Sequence, residues 1–278
     1  HVCELPFLFR EIGFFVLPAN KGRDGEKKKG SNKEKPSFDD PILSEGRGGE
    51  RMSVSPDRRD LVYQTAKWST LSQAVLGSVS LVGFVDRSDP FLVALLVTDT
   101  IVQGVELCFY LLFLFYFSSF RSRIDYRYAD WCVTTPLMLV STIAFLDYLS
   151  SRSEGRTITL TSFWEERMWQ IVGVVLLNAS MLAVGFAHEI GRLPTVYLLL
   201  GWPPFIAVFA WIASVNATTA GGISLLLFLY LVWSLYGFAA FLPPDPKTIS
   251  YNCLDVVSKN LYGLVVGVYM LASSSSTD

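Results

Sequence analysis

Seven long apolar segments follow one another along most of the chain. They lie near 63–85, 91–118, 126–148, 167–188, 194–214, 220–242 and 249–272. Each is long enough for a helix to cross a hydrocarbon core about 30 Å thick, which takes about 20 residues. Membrane β-strands would be about 10 residues long and would alternate between apolar and polar positions. The pattern therefore predicts an all-α protein, a bundle of seven transmembrane helices.

The first 60 residues have a different character. Lys, Glu, Gly, Ser and Asn dominate 21–35, and so polar a stretch cannot bury enough apolar surface to fold. We predict a disordered N-terminal extension over 1–60, followed by the seven-helix domain over 61–278. The phenylalanines and leucines of 7–17 could form an amphipathic helix or belong to a targeting segment.

Composition strengthens the membrane interpretation. The chain is 51% hydrophobic, and 12 of its 23 basic and 11 of its 25 acidic residues lie in 1–60. The remainder has too few charges to cover a water-soluble surface, so we expect a multi-pass integral membrane protein in contact with lipid. A net charge of −2 without a basic face argues against binding of nucleic acid. Four scattered cysteines and two histidines suggest neither a disulfide framework nor a metal site.

Ionisable residues inside the predicted spans are costly and mark candidate functional sites. They are Lys67, Asp99, Glu106, Arg127, Asp130, Asp255 and Lys259. Lys259 lies ten residues into the last span, with Asp255 one turn before it. A lysine at that depth beside a carboxylate suggests a special chemical use, such as a Schiff base to a carbonyl cofactor.

The helical rise of about 1.5 Å per residue orders these groups by depth. Lys259 and Glu106 share a layer about 20 Å from the face where the second span begins. The polar groups cross the bundle in the order Asp99 with Ser141, Glu106 with Lys259, Asp130 with Asp255, and Arg127. Such a file is the layout of a proton or ion path.

Three segments resemble the signature motifs of microbial (type 1) rhodopsins. Residues 127–138 (RYADWCVTTPLM) resemble the third-helix signature, 254–263 (LDVVSKNLYG) the retinal-attachment motif, and 233–236 (WSLY) the sixth-helix aromatic pair. The motifs occur in the family's order and on the corresponding helices. Residues 64–65 (QT) and 102–110 (VQGVELCFY) resemble the viral-type branch, which is related to the rhodopsin parts of bestrophin fusions.

The resemblance implies a fold of the bacteriorhodopsin type and all-trans retinal as the cofactor. It assigns Lys259 the retinal Schiff base, Asp130 the role of counterion and proton acceptor, and Asp255 that of second counterion. Arg127 would lie on the side toward which the proton leaves. The residues implied to line the retinal are Trp131, Thr135, Met138, Met181, Gly185, Trp202, Phe205, Trp233 and Tyr236.

The chain also departs from the archaeal-type pumps of this family. Ser141 replaces their aspartate, the internal proton donor, so the triad reads Asp130, Thr134, Ser141. We infer that Asp99 takes over as donor, although it could simply hydrogen-bond Ser141 or water. Glu106 could be a third carboxylate near the Schiff base or could serve in bonding between helices.

Further departures concern the retinal pocket and the loop before the last span. Ala240 stands in place of a bulky tryptophan, and Gly237 in place of a proline. The predicted loop 243–248 contains Asp245 but no pair of glutamates, which leaves the usual proton-release group in doubt.

These features favour a light-driven outward proton pump, because Asp130 and Thr134 are intact. A light-gated ion channel is the alternative, favoured by the polar second span and by Ser141. A photosensor is a third possibility, and no enzyme activity is expected. The family resemblance places the N-terminus outside, although the charges flanking the spans lean the other way. It also suggests a homo-oligomer.

Overall fold

A computed structural model describes residues 56–85, 89–117 and 125–274. Within these ranges the chain is helical, with no strand, which confirms the predicted fold class. The first helix begins at Pro56, so the last five residues of the predicted extension are helical. The rest of that prediction, over 1–55, lies outside the described residues.

Seven helices in these ranges are long and apolar enough to span a membrane. They are α1 (Pro56–Ser80, continued by the 3-10 turn Leu81–Val85), α2 (Pro90–Phe115), α3 (Tyr126–Ser153), α4 (Leu160–Glu189), α5 (Trp202–Asn216, preceded by the 3-10 turn Thr195–Gly201), α6 (Ala220–Ala239) and α7. Helix α7 comprises Pro244–Asp255, a π-helical turn over Val256–Asn260, and Leu261–Ser274. The chain is thus a multi-pass integral membrane protein.

Three helices begin earlier than the apolar pattern indicated, because their first turns contain polar residues; the first of them, α1, begins at Pro56 rather than 63. Helix α4 begins at Leu160 rather than 167. At this start Thr159 and Ser162 form a capping box, in which each side chain bonds the backbone N–H of the other residue. Helix α7 begins at Pro244 rather than 249, with proline in its first turn, where the missing N–H costs no hydrogen bond. The predicted loop 243–248 is therefore mostly helix.

Burial distinguishes the central helices from the peripheral ones. Within the most apolar part of each span, α3 buries 61% and α7 50% of the residues, whereas α1 and α4 bury 22%. On α4, Trp169 and Leu176 are exposed, as expected for a surface that faces lipid. The central helices α3 and α7, together with α2, carry most of the buried charged groups.

Candidate functional site

Three buried carboxylates surround the amino group of Lys259. Its Nζ lies 2.7 Å from Oδ2 of Asp130, 3.5 Å from Oδ1 of Asp255 and 3.7 Å from Oε1 of Glu106. All four side chains are at most 5% exposed. The helical rise predicted one layer with Lys259 and Glu106 and a second layer with Asp130 and Asp255. In the structure the long side chain of Lys259 reaches the carboxylates of both layers. Helices α2, α3 and α7 each supply one carboxylate.

Asp255 is held from the side of the cluster that carries Arg127. Nη1 of Arg127 lies 3.2 Å from Oδ2 of Asp255, which also accepts a 2.8 Å hydrogen bond from the hydroxyl of Tyr110. The hydroxyl of Tyr236 donates to the other oxygen at 2.8 Å, and Nη2 of Arg127 donates to the amide oxygen of Asn252. These bonds satisfy the carboxylate and fix its position.

Two members of this network, Tyr110 and Asn252, were missed by the sequence reasoning. Their spacing held a signal, because Tyr110 lies four residues after Glu106 and Asn252 three residues before Asp255. Residues at such spacings share a helix face. A polar residue three or four positions from a buried carboxylate is therefore a candidate for the same site.

The third carboxylate, Glu106, has weaker partners. Its Oε1 accepts a 3.2 Å hydrogen bond from Nε2 of Gln73 on α1, and its Oε2 has no hydrogen-bond partner among the described protein groups. Three carboxyl groups thus face two cations, Lys259 and Arg127. Because an uncompensated buried charge is costly, the cluster is suited to hold a proton.

A second polar group lies on α2, two turns from the first. Oγ of Ser141 donates to Oδ1 of Asp99 at 2.8 Å and lies 3.1 Å from the hydroxyl of Tyr262. Asp99 is 2% exposed, and its Oδ2 is unpaired within the described part of the chain. The structure thus brings Asp99 and Ser141 together at the same depth.

The threonines of α3 serve the helix itself and the neighbouring helix α4. Oγ1 of Thr134 donates to the backbone carbonyl of Asp130 at 3.0 Å, rather than to its carboxylate. Oγ1 of Thr135 bonds the backbone of Trp131 and accepts a 2.8 Å hydrogen bond from Asn178. Thr135 therefore joins α3 to α4.

A largely apolar cavity extends from Lys259 between α3, α4, α5, α6 and α7. It encloses about 860 Å³ of space between atoms, part of it continuous with the outside of the bundle. The ten residues that the resemblance assigned to retinal all line it: Trp131, Thr135, Met138, Met181, Gly185, Trp202, Phe205, Trp233, Tyr236 and Lys259. Tyr128, Leu182 and Tyr251 are among the lining residues that were not predicted.

Two glycines let aromatic rings form the cavity wall. A Cβ atom at Gly237 would lie 2.9 Å from Cζ2 of Trp202, and one at Gly185 would lie 2.5 Å from the hydroxyl of Tyr128. Ala240 also lines the cavity, which leaves room where a larger side chain would intrude. An apolar cavity with a single amino group fits a long apolar ligand that bears a carbonyl group.

A separate polar network, which the sequence reasoning missed, joins α3, α4 and α5 away from this cavity. Arg167 Nε lies 2.6 Å from Oδ2 of Asp147, whose Oδ1 accepts a 2.6 Å hydrogen bond from Asn216. The amide oxygen of Asn216 accepts in turn from Gln170 at 2.6 Å. Asp147 falls at the end of the predicted third span and Arg167 at the start of the predicted fourth, where snorkelling side chains are common.

Comparison with known proteins identifies the fold. Residues 64–273 match the family described as bacteriorhodopsin-like protein. The chain belongs to this family. It is a microbial rhodopsin, a family that includes both pumps and channels. No curated protein matches the chain in sequence.

Solved structures of other microbial rhodopsins share the fold. The viral rhodopsin OLPVRII is 20% identical, with a TM-score of 0.63 over 79% of this chain and 100% of its own. A thermophilic rhodopsin is 20% identical, with a TM-score of 0.60 over 81% and 98%. A blue light-absorbing proteorhodopsin from Med12 is also 20% identical, with a TM-score of 0.55 over 75% and 99%. At this identity the likeness concerns the fold alone.

The cofactor of this microbial rhodopsin is retinal, as in the rest of the family. The residues that line the cavity suit retinal. Its apolar walls suit a polyene, and Lys259 supplies the amino group that a retinal aldehyde needs. Asp130, at 2.7 Å from that nitrogen, supplies negative charge where a cationic linkage would lie.

Proposed function

We propose that this rhodopsin is a light-driven outward proton pump in which Lys259 carries retinal as a Schiff base. The 2.7 Å contact between Nζ of Lys259 and Oδ2 of Asp130 carries the proposal. It joins a proton donor directly to a buried acceptor at ordinary hydrogen-bond distance. When bound, retinal supplies absorption of visible light and an isomerisation that changes the environment of the nitrogen.

The residues around the lysine have distinct roles in this proposal. Asp130 accepts the proton from the lysine nitrogen, and Asp255 remains charged as the second counterion. Arg127, Tyr110 and Tyr236 hold Asp255 in place, because all three donate hydrogen bonds to it. Thr134 bonds the backbone carbonyl of Asp130 one turn earlier in α3.

Asp99 is proposed as the internal proton donor in place of Ser141. It is buried, it lies on the opposite side of Lys259 from Arg127, and its 2.8 Å bond from Ser141 orients the carboxyl group. The variant Asp99→Asn keeps the shape but cannot give up a proton. We expect slow return of the proton to the lysine nitrogen, restored by azide, which carries protons through solution. Unchanged recovery would remove the donor role from Asp99.

The decisive experiment is the light-evoked current in a voltage-clamped cell at 0 mV with identical solutions on both sides. A sustained outward current under these conditions must be driven by light and supports the pump. No sustained current at 0 mV, combined with currents of either sign once a voltage is applied, would refute it.

That second outcome would support a light-gated channel. Its supporting observation is the polar surface of α2, where Asp99, Gln103 and Glu106 are all buried inside the bundle. Assembly into a homo-oligomer remains a prediction, as does the outside location of the N-terminus.

A further inference from the structure

Small residues line the retinal cavity at the ends of three helices. Gly185 lies one turn before the end of α4, Gly201 directly precedes α5, and Gly237 and Ala240 lie at the end of α6. Because successive spans run in opposite directions, these ends lie on the side of the bundle that carries Arg127, at the start of α3. The cavity therefore has room on that side, where larger side chains would fill it.

The enlarged part of the cavity lies opposite Lys259. Around the cavity α7 packs against α6, α6 against α5, α5 against α4, and α4 against α3. A Cβ atom at Gly201 would lie 3.8 Å from Cγ of Met181 on α4, an ordinary contact, so the turn before α5 leaves this space open. A long ligand held at the lysine nitrogen therefore has its other end near α4 and α5. We call this end the distal compartment; its lining residues are Leu182, Gly185, Leu198, Gly201 and Ala240.

The hydroxyl of Tyr128 lies in the distal compartment without a protein partner. A Cβ atom at Gly185 would come within 2.5 Å of this oxygen, so the hydroxyl lies directly against α4. Tyr128 is 6% exposed, and no protein group in the described ranges hydrogen-bonds its hydroxyl. Edge contacts with Trp131 and Phe186, at ring-centroid distances of 5.0 and 5.8 Å, fix the tyrosine ring. A buried hydroxyl without a partner is destabilising unless a ligand bonds it.

Water is a poor partner for this hydroxyl. An ordered water molecule inside a protein makes about three hydrogen bonds, whereas the distal compartment is lined by leucine, glycine and alanine. Tyr251 also has a hydroxyl that no described protein group bonds, but its ring stacks on Tyr236, 5.7 Å away, beside Asp255. An oxygen atom carried on an apolar ring needs only one polar partner, because packing against the apolar wall holds the ring in place.

We propose that the distal compartment selects a retinal whose ring carries a hydroxyl group, and that Tyr128 recognises this oxygen. Gly201 and Ala240 leave space for the larger ring, and Tyr128 supplies the hydrogen bond. No covalent bond forms or breaks at this end of the ligand. The inference rests on the attachment of retinal to Lys259 proposed above, and it does not depend on the direction of transport.

The test is competition between two chromophores for protein that was expressed without retinal. The protein receives equal excess amounts of all-trans retinal and all-trans 3-hydroxyretinal. Bound chromophore is then released with hydroxylamine, and the two forms are separated by chromatography. We expect the native protein to take up the hydroxylated form about threefold to tenfold more than retinal, which is the range that one added hydrogen bond supports. Tyr128→Phe should take up both about equally, because it lacks only the hydroxyl.

Tyr230→Phe is the matched control. The ring of Tyr230 stacks on that of Phe205 at 5.4 Å, but Tyr230 does not line the cavity, so this variant should keep the native preference. Ala240→Trp refills the distal compartment and should lower uptake of 3-hydroxyretinal relative to retinal, which provides a second variant if Tyr128→Phe does not fold. A visible pigment with all-trans retinal shows that each variant has folded.

Two results of the competition would overturn the inference: equal uptake by the native protein, or a preference that persists in Tyr128→Phe. A preference lost in Tyr251→Phe instead would exclude Tyr128 as the recognising residue. A high-resolution structure of the 3-hydroxyretinal pigment should place the ring oxygen within hydrogen-bond distance of Tyr128; a water molecule in that place would contradict the inference. If neither chromophore forms a pigment, attachment at Lys259 fails as well, whereas pigment with equal uptake leaves the attachment intact.

Discussion

Two ion pairs of nearly equal length should differ sharply in what they contribute to stability. Arg167 and Asp147 are 2.6 Å apart, with side chains 25% and 6% exposed. Arg156 and Glu154 are 2.7 Å apart, with side chains 60% and 50% exposed. Distance alone ranks the pairs as equals. Burial ranks them differently, because water and dissolved ions weaken the attraction between the two charges of an exposed pair much more than that of a buried pair.

The perturbation is Asp147→Asn, which keeps the shape and removes the charge. Losing one partner of a buried pair costs about 3–5 kcal/mol, and the partial exposure of Arg167 reduces this to about 2–3 kcal/mol. For a domain of this size, 1 kcal/mol lowers the unfolding midpoint by about 2–4 °C. We therefore expect Asp147→Asn to unfold about 4–12 °C below the native protein.

The assay is the loss of visible absorbance on heating purified pigment, at one fixed heating rate. Glu154→Gln is the matched control and should leave the midpoint nearly unchanged. The double variant Asp147→Asn, Arg167→Met should be more stable than Asp147→Asn alone, because it leaves no unpaired buried cation. Equal midpoints for Asp147→Asn and Glu154→Gln would refute the reasoning from burial.

Three further variants test the retinal site. Lys259→Ala should abolish visible absorption after addition of retinal, because no other described lysine lines the cavity; a retained pigment would contradict the attachment site. Asp130→Asn should shift the absorption maximum to the red and stop transport, because it removes the charge 2.7 Å from the lysine nitrogen; continued pumping would exclude Asp130 as acceptor. Gly237→Val should displace Trp202, whose ring would lie within 2.9 Å of the new Cβ, and shift the absorption maximum; an unchanged spectrum would show that the ring does not contact retinal.

Most of the fold could be predicted from the sequence, because each membrane span can be recognised on its own. A run of about 20 apolar residues identifies a membrane helix without any tertiary contact. The starts of α4 and α7 were misplaced because capping and proline chemistry set them, as at Thr159 and Pro244, and hydropathy does not register either.

The site was predictable where a motif fixes the residues and less so where packing does. Lys259, Asp130 and Asp255 stand at spacings that can be recognised in the chain. The network of Asp147, Arg167 and Asn216 was missed because its members come from three helices, with no spacing to link them. Asn216 begins an Asn-Ala-Thr glycosylation sequon, yet it is 1% exposed and both its amide oxygen and its amide nitrogen are hydrogen-bonded inside the bundle.

The π-helical turn Val256–Asn260 has a consequence for how α7 tolerates change in length. On the Arg127 side of the turn, α7 places Asp255 beside Lys259 and Arg127; on the other side, Tyr262 and Gly263 face Ser141 and Gln103. One residue added to or removed from an α-helix rotates everything beyond it by about 100°. A π-helical turn holds one residue more than an α-helical turn, so α7 carries this extra residue while both of its halves keep facing their partners on α2 and α3. The turn therefore sets the angular relation between the two halves of α7.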